Sequence, residues 1–113
     1  MQPEAQALLF DIRKAGRLIQ SFAEGRTFED YTTDPLLRSA VERQFEIIGE
    51  ALRKLSAVDA PTVSQIDEYR KIVAFRNVLI HGYAAIQDDL VWGIVETKLP
   101  PLLTTVERLL SAE

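Results

Sequence analysis

The sequence predicts an all-α protein, an up-and-down bundle of four to five helices. Three observations carry this reading. Apolar residues recur at three- and four-residue spacings over long stretches. Glycine and proline, five of each, fall mostly between those stretches and mark turns. No alternating apolar–polar run is flanked by hairpin turns, so strand signals are absent. A chain of 113 residues makes one domain, 1–113, with room for a single hydrophobic core and not for two.

The first helix is expected from about Glu4 to Glu24, with Leu8, Leu9, Ile12, Ala15, Leu18, Ile19 and Phe22 on its apolar face and Gly25 as its stop. The segment R-T-F-E-D-Y-T-T reads as a polar link. Asp34 followed by Pro35 is a strong helix start, a side-chain cap and then a proline at the first helical position. From there Leu37, Ala40, Val41, Phe45, Ile48, Leu52 and Leu55 keep helical period to about Ser56. A loop with Asp59, Ala60 and Pro61 follows, and the third helix is expected near Ser64, whose hydroxyl could cap it, with Asp67 and Glu68 in its first turn. Ile66, Tyr69, Ile72, Val73, Phe75, Val78, Leu79 and Ile80 carry it toward Gly82. A fourth helix is expected from Asp88 or Asp89, and the Pro100–Pro101 pair either breaks it or restarts a fifth that ends with Leu109 and Leu110.

Composition excludes several classes. The apolar and charged fractions, 47% and 27%, are those of a soluble globular protein. Without cysteine there is neither a disulfide framework nor a thiolate metal site, which fits a reducing cytosol. The N-terminus lacks the basic start and apolar stretch of a signal peptide, and no segment is long enough to span a bilayer, so the expected location is cytoplasmic. A net charge of −4 argues against coating nucleic acid through a broad basic surface. It leaves room for gripping a few phosphates in a local cleft, including one built from more than one subunit.

The segment Arg76 to Tyr83, R-N-V-L-I-H-G-Y, concentrates polar chemistry at the end of an apolar helical run and holds the only histidine. His81 can exchange a proton near neutral pH, as general base on a ribose 2′-hydroxyl or general acid on the leaving oxygen. Arg76 can neutralise charge building on phosphate oxygens. Asn77 can hold the imidazole or the phosphate by hydrogen bonds, and the Tyr83 ring can stack on a base. One histidine without a carboxylate cluster is a poor metal site, so the expected mechanism uses no metal and no cofactor. On an ideal helix, a separation of five residues turns Arg76 and His81 roughly 140° apart, whereas Asn77 and His81 share a face. Arg76 and His81 therefore converge only if the last turn unwinds or a second copy of the chain completes the cleft. The same residues also suit a helix-terminal cap and a solvated surface charge, and periodicity alone does not separate the two.

The motif resembles the signature of HepT-like proteins, a branch of the HEPN superfamily: arginine, four residues, histidine, one residue, tyrosine. Two further blocks extend the resemblance in order along the chain. One is D-P-L-L-R-S-A-V-E-R-Q-F-E-I-I-G-E-A, with its I-G-E-A segment at Ile48 to Ala51; the other is D-L-V-W-G-I-V-E-T-K-L-P-P-L-L, with Trp92, Leu99 and Pro100. Family members commonly carry a proline–tryptophan step before the motif helix, where this chain has V-S-Q-I-D-E-Y. The resemblance implies a HEPN-like helical-bundle endoribonuclease, the toxin half of a toxin–antitoxin system whose partner is a minimal nucleotidyltransferase. It implies that Arg76 and His81 are the catalytic pair, that Asn77 supports them, and that Tyr83 is where the partner attaches adenylyl groups. It also implies homodimers with two motifs beside a shared cleft.

Other residues have two readings each. Gly49 and Glu50 mark either close helix packing with a polar contact reaching the cleft, or a plain helix approach beside a solvated carboxylate. Trp92 suits core or dimer interface better than base stacking. Arg70 and Lys71 suit ordinary surface charge better than an RNA guide. Glu42, Glu46 and Glu50 form one acidic stripe, solvated by default. The leading reading is a metal-independent endoribonuclease acting on RNA, with no DNA or membrane partner. The alternative is a non-catalytic HEPN subunit that binds a nucleotidyltransferase or a nucleotide, and a third is a bundle that only dimerises.

Overall fold

The computed structural model describes residues 1–81 and 87–112. Seven helices occur among these residues and no strand: α1 Pro3–Ala23, α2 Phe28–Thr33, α3 Pro35–Val58, α4 Ala60–Val63, α5 Tyr69–His81, α6 Asp88–Thr97 and α7 Leu99–Ser111. The architecture is an all-α bundle, and its five helices of ten residues or more are the ones the apolar periodicity marks out. The two short helices are additions to that expectation. No helix among the described residues is long and apolar enough to cross a membrane.

α1 ends at Ala23, two residues before Gly25, which takes a left-handed φ of 72°, a conformation costing a side-chain-free residue little. Instead of a polar link, residues 28–33 make the one-and-a-half-turn α2. A capping box drives it: the Thr27 hydroxyl accepts from the Asp30 amide at 3.1 Å, and the Asp30 carboxylate accepts from the Thr27 amide at 2.9 Å. Burial does the rest, since Tyr31 is fully inside and stacks at a tilt on Trp92 with ring centroids 5.3 Å apart. α3 begins as the Asp34–Pro35 pair predicts, the Asp34 carboxylate accepting from the amides of Leu36 and Leu37.

The third helix departs from expectation. Asp59 caps the single turn α4, accepting from the Thr62 amide at 3.2 Å and the Thr62 hydroxyl at 2.7 Å. Ser64 does not cap the start of a helix; it closes α4 as its C-cap, its amide donating to the Ala60 carbonyl and its hydroxyl to the Pro61 carbonyl. Glu68 adopts φ 57°, a left-handed conformation that no helix interior tolerates, so α5 starts only at Tyr69. The Glu68 carboxylate is held on both sides, by Lys98 at 2.6 Å and Lys71 at 3.2 Å. Ile66, counted in the helical run, is buried from the turn before it. At Pro100–Pro101 the chain restarts: the prolines open α7, where their missing amides cost nothing.

One core spans the described residues. Ala5, Leu9, Ile12, Ala15 and Ile19 of α1 meet Val41, Phe45, Ile48, Leu52 and Leu55 of α3, with Leu99, Leu102 and Val106 of α7 closing it. α5 packs chiefly on α3. Phe75 sets edge-on against Phe45, centroids 5.4 Å apart, and Ile72 and Leu79 are buried one turn either side. Burial of each such side chain is worth about 1.5–3 kcal/mol, so this three-residue stripe fixes which face of α5 looks at α3. It thereby fixes where Arg76 points.

Candidate active site

Arg76 follows Phe75 and lies next to the buried stripe rather than on the solvent side. Its side chain is only 21% exposed, unusual for an arginine. What admits it is Gly49 on α3. A Cβ at Gly49 would lie 2.1 Å from the Arg76 Cβ and 2.6 Å from its Cγ, closer than carbon atoms approach. With no Cβ there, the arginine stem lies on the α3 backbone. Of the two readings of the I-G-E-A segment, the structure shows close packing together with a polar contact.

That contact is with Glu50. Arg76 Nη2 sits 2.7 Å from Glu50 Oε2, and Arg76 Nη1 donates to Asn77 Oδ1 at 2.9 Å. Arg76 Nε is buried with no hydrogen-bond partner among the described residues. Glu50 is also gripped by Arg53, whose Nη2 donates to Oε1 at 2.6 Å and whose Nε donates to Oε2 at 3.3 Å. The hydrogen bond from Arg53, with its charge and those of Arg76 and Lys54, holds the Glu50 carboxyl below the usual carboxylate range against the effect of burial. Glu50 is therefore ionised at neutral pH. Two guanidiniums and one carboxylate leave this trio with a net charge of +1.

Arg76 and Glu50 of the trio line a cleft of about 230 Å³ between α1, α3 and α5, where Arg43, Lys54 and Arg76 face Asp11, Glu46 and Glu50. A larger cavity of about 520 Å³ lies between α5 and the α6–α7 pair, lined by apolar residues such as Ile72, Phe75, Val78, Leu90, Ile94 and Leu102. It touches none of Arg76, Asn77 or His81.

His81 is the last residue of α5 and is exposed. Because α5 stays helical through His81, the last turn does not unwind. Arg76 and His81 thus keep the roughly 140° divergence of five helical residues and lie about 7.5 Å apart along the axis. Asn77 is exposed on the face it shares with His81 and reaches back to Arg76, so it bridges the two directions. Gly82 and Tyr83 lie outside the described residues. No group of three or more His, Asp or Glu side chains able to hold a metal forms among the described residues.

The remaining candidates separate cleanly. Trp92 is core, 7% exposed against Tyr31. Lys71 is tied to Glu68, and the Arg70 guanidinium lies over the Tyr69 ring at 5.4 Å. The acidic stripe is not uniform: Glu46 pairs with Arg43, Glu50 with two arginines, and Glu42 is half-buried beside Asp88. Burial, then Asp88, push the Glu42 carboxyl above its ordinary value despite Arg38. Arg53 escaped the sequence reading. Its signal was the Glu50–Arg53 spacing of three residues on one helix, a local pairing that says nothing of α5.

The sequence has relatives among known proteins. A family profile described as Ribonuclease HepT-like matches residues 12–109. The protein named "Probable ribonuclease HepT" of Thermococcus cleftensis is 33% identical over 101 residues, covering 89% of this chain and 91% of its own. "Putative RNase TTE0752" of Caldanaerobacter subterraneus is 32% identical over 90 residues, 80% of each chain. "Putative RNase MJ0127" of Methanocaldococcus jannaschii is 29% identical over 107 residues, 95% of this chain and 88% of its own. No solved structure matches significantly.

Proposed function

The chain belongs to the HepT-like ribonuclease family, and from that premise we propose that it is a metal-independent endoribonuclease toxin of a toxin–antitoxin system. The observation that carries the reading is Arg76, a largely buried guanidinium held at a cleft by Glu50 and Asn77, five residues before an exposed His81 at the helix end. A desolvated cation beside a cleft is suited to charge that appears on a phosphate as its oxygen is attacked.

In the proposed reaction His81 takes the proton from a ribose 2′-hydroxyl, the 2′-oxygen bonds to phosphorus, and the bond to the 5′-oxygen breaks. The products are a 2′,3′-cyclic phosphate and a 5′-hydroxyl, the latter taking a proton from water while His81 returns its own to solvent. Arg76 neutralises the phosphate oxygens throughout, and Asn77 steadies Arg76. The continuous helix through His81 supports a homodimer, because a second copy is what brings an arginine and a histidine to one phosphate when each chain points them apart. A cognate minimal nucleotidyltransferase silences the enzyme by adenylylating Tyr83, two residues past the histidine. The added phosphate brings negative charge and bulk where RNA must sit. The site of action is the cytoplasm.

The test is cleavage of an RNA by the purified chain in excess chelator, with His81→Ala and Arg76→Ala beside it. Cyclic-phosphate ends from the wild type, and none from either folded variant, are expected. Full activity in folded His81→Ala overturns the mechanism; a strict need for added divalent metal overturns its metal-free part.

A further inference from the structure

We infer that Glu50 is a positioning residue for Arg76, orienting the guanidinium toward the cleft from a different helix, an inference that rests on the ribonuclease reading above. The geometry is that of a clamp. Gly49 brings the α3 backbone against the arginine stem, so that Cβ and Cγ of Arg76 occupy the space a Cβ would take. The stem then has little freedom to swing sideways. At its end, Nη2 is held by Glu50 from α3 at 2.7 Å and Nη1 by Asn77 from α5 at 2.9 Å. A planar group held at two nitrogens from two directions has one orientation left to it.

Glu50 can hold because it is itself held. Arg53 grips both carboxylate oxygens, at 2.6 Å and 3.3 Å, and Arg53 is the more exposed partner, with 55% of its side chain in water against 21% for Arg76. The arrangement is therefore graded, with a solvated cation outside, the carboxylate in the middle and the desolvated cation inside. Arg53 also solves a charge problem. The cleft lining sets three cations against three anions, so a carboxylate on Arg76 cancels charge a phosphate needs, and Arg53 behind the lining restores a net positive trio. An ion pair that merely ties α3 to α5 needs neither Gly49 nor Arg53, and its loss lowers stability without changing turnover per folded molecule.

The experiment compares wild type, Glu50→Gln and Glu50→Ala in RNA cleavage, well below each melting temperature and normalised to folded protein. Glu50→Ala should lower kcat roughly 10- to 100-fold, the scale of a misplaced catalytic group. Its KM should stay level or fall, because an anion has left the cleft. Glu50→Gln should recover most of kcat, since its amide oxygen still accepts from Nη2. A second measurement needs no substrate: the Nη proton signals of Arg76 in ¹⁵N-labelled protein, assigned with Arg76→Lys. They should be separate in wild type, where rotation about Cζ–Nη is hindered, and averaged in Glu50→Ala. Wild-type kcat in Glu50→Ala, a loss that Gln does not recover, or Nη signals already averaged in wild type would each overturn the inference. A wild type with clamped Arg76 signals that cleaves no RNA overturns the ribonuclease reading instead and leaves the positioning of Arg76 standing.

Discussion

Gly49→Ala asks whether the α3–α5 approach at Arg76 is as tight as the geometry says. The new methyl carbon would fall 2.1 Å from Arg76 Cβ and 2.6 Å from Cγ. Carbon atoms settle no closer than about 3.5 Å, so α5 must retreat by about 1.4 Å at that point. The obstacle is a Cβ, which moves only with its backbone. Alanine in a helix interior gains about 1 kcal/mol over glycine. Overpacking of this kind costs about 1–3 kcal/mol and sits at the upper end here, leaving a net loss of about 1–2 kcal/mol. For a domain of this length, at about 2.1 cal/mol/K of unfolding entropy per residue, that is a fall in Tm of about 4–8 °C. Because the retreat carries Arg76 away from Glu50, cleavage should drop at least tenfold. Two other glycines serve as controls. A Cβ at Gly93 in α6 meets nothing within 4 Å among the described residues, so Gly93→Ala should raise Tm by a few degrees. At Gly16 in α1 the obstacle is the Leu103 Cδ2, 2.6 Å away, the tip of a side chain that can turn aside, so gain and loss should nearly cancel. Thermal melts followed by circular dichroism read all three. A Gly49→Ala protein as stable as wild type, or a reversed order of the three variants, would refute the packing argument.

Three further outcomes are expected. Tyr83→Phe should keep at least part of the nuclease activity and escape adenylylation by a co-expressed nucleotidyltransferase with ATP. Mass spectrometry finding the adenylyl group only elsewhere, or inhibition that persists in Tyr83→Phe, contradicts that. Glu42→Gln should raise Tm at neutral pH. With the folded-state pKa of Glu42 above its ordinary 4.5, through burial and then Asp88, ionising it in the fold weakens stability as pH rises through that range. The advantage of the variant should therefore shrink to nothing in acid, where both forms are uncharged at this position, and an advantage independent of pH would show that Glu42 is not the group responsible. Light scattering should give a homodimer at micromolar concentration, and a monomer at concentrations where the protein is active would defeat the shared-cleft arrangement.

Local chemistry made much of this protein legible before any coordinates. The Asp34–Pro35 start, the Gly25 stop and the Pro100–Pro101 interruption rest on contacts between residues a few positions apart; the first two stand in the structure, and the third, open between a break and a restart, is a restart. The motif at Arg76 to Tyr83 was visible for a related reason, since a lone histidine beside an arginine and an amide is a compositional event within eight residues. Two local segments read differently in the sequence and in the structure. The Thr27–Asp30 capping box lies in a segment too short and polar for periodicity, and it needed Tyr31 to find Trp92 from another helix. Ser64 looked like a cap, but Glu68 turns left-handed while its carboxylate bridges Lys71 and Lys98, a choice that involves the end of α6. The surroundings of Arg76 were decided by tertiary structure alone. Nothing within α5 tells Arg76 that it will lie against a glycine twenty-seven positions earlier, or that Glu50 will be its counter-ion. Caps and turns act over a few bonds and can be read in a line. A buried guanidinium depends on which faces of two helices the apolar stripes bring together, and only the packed core decides that.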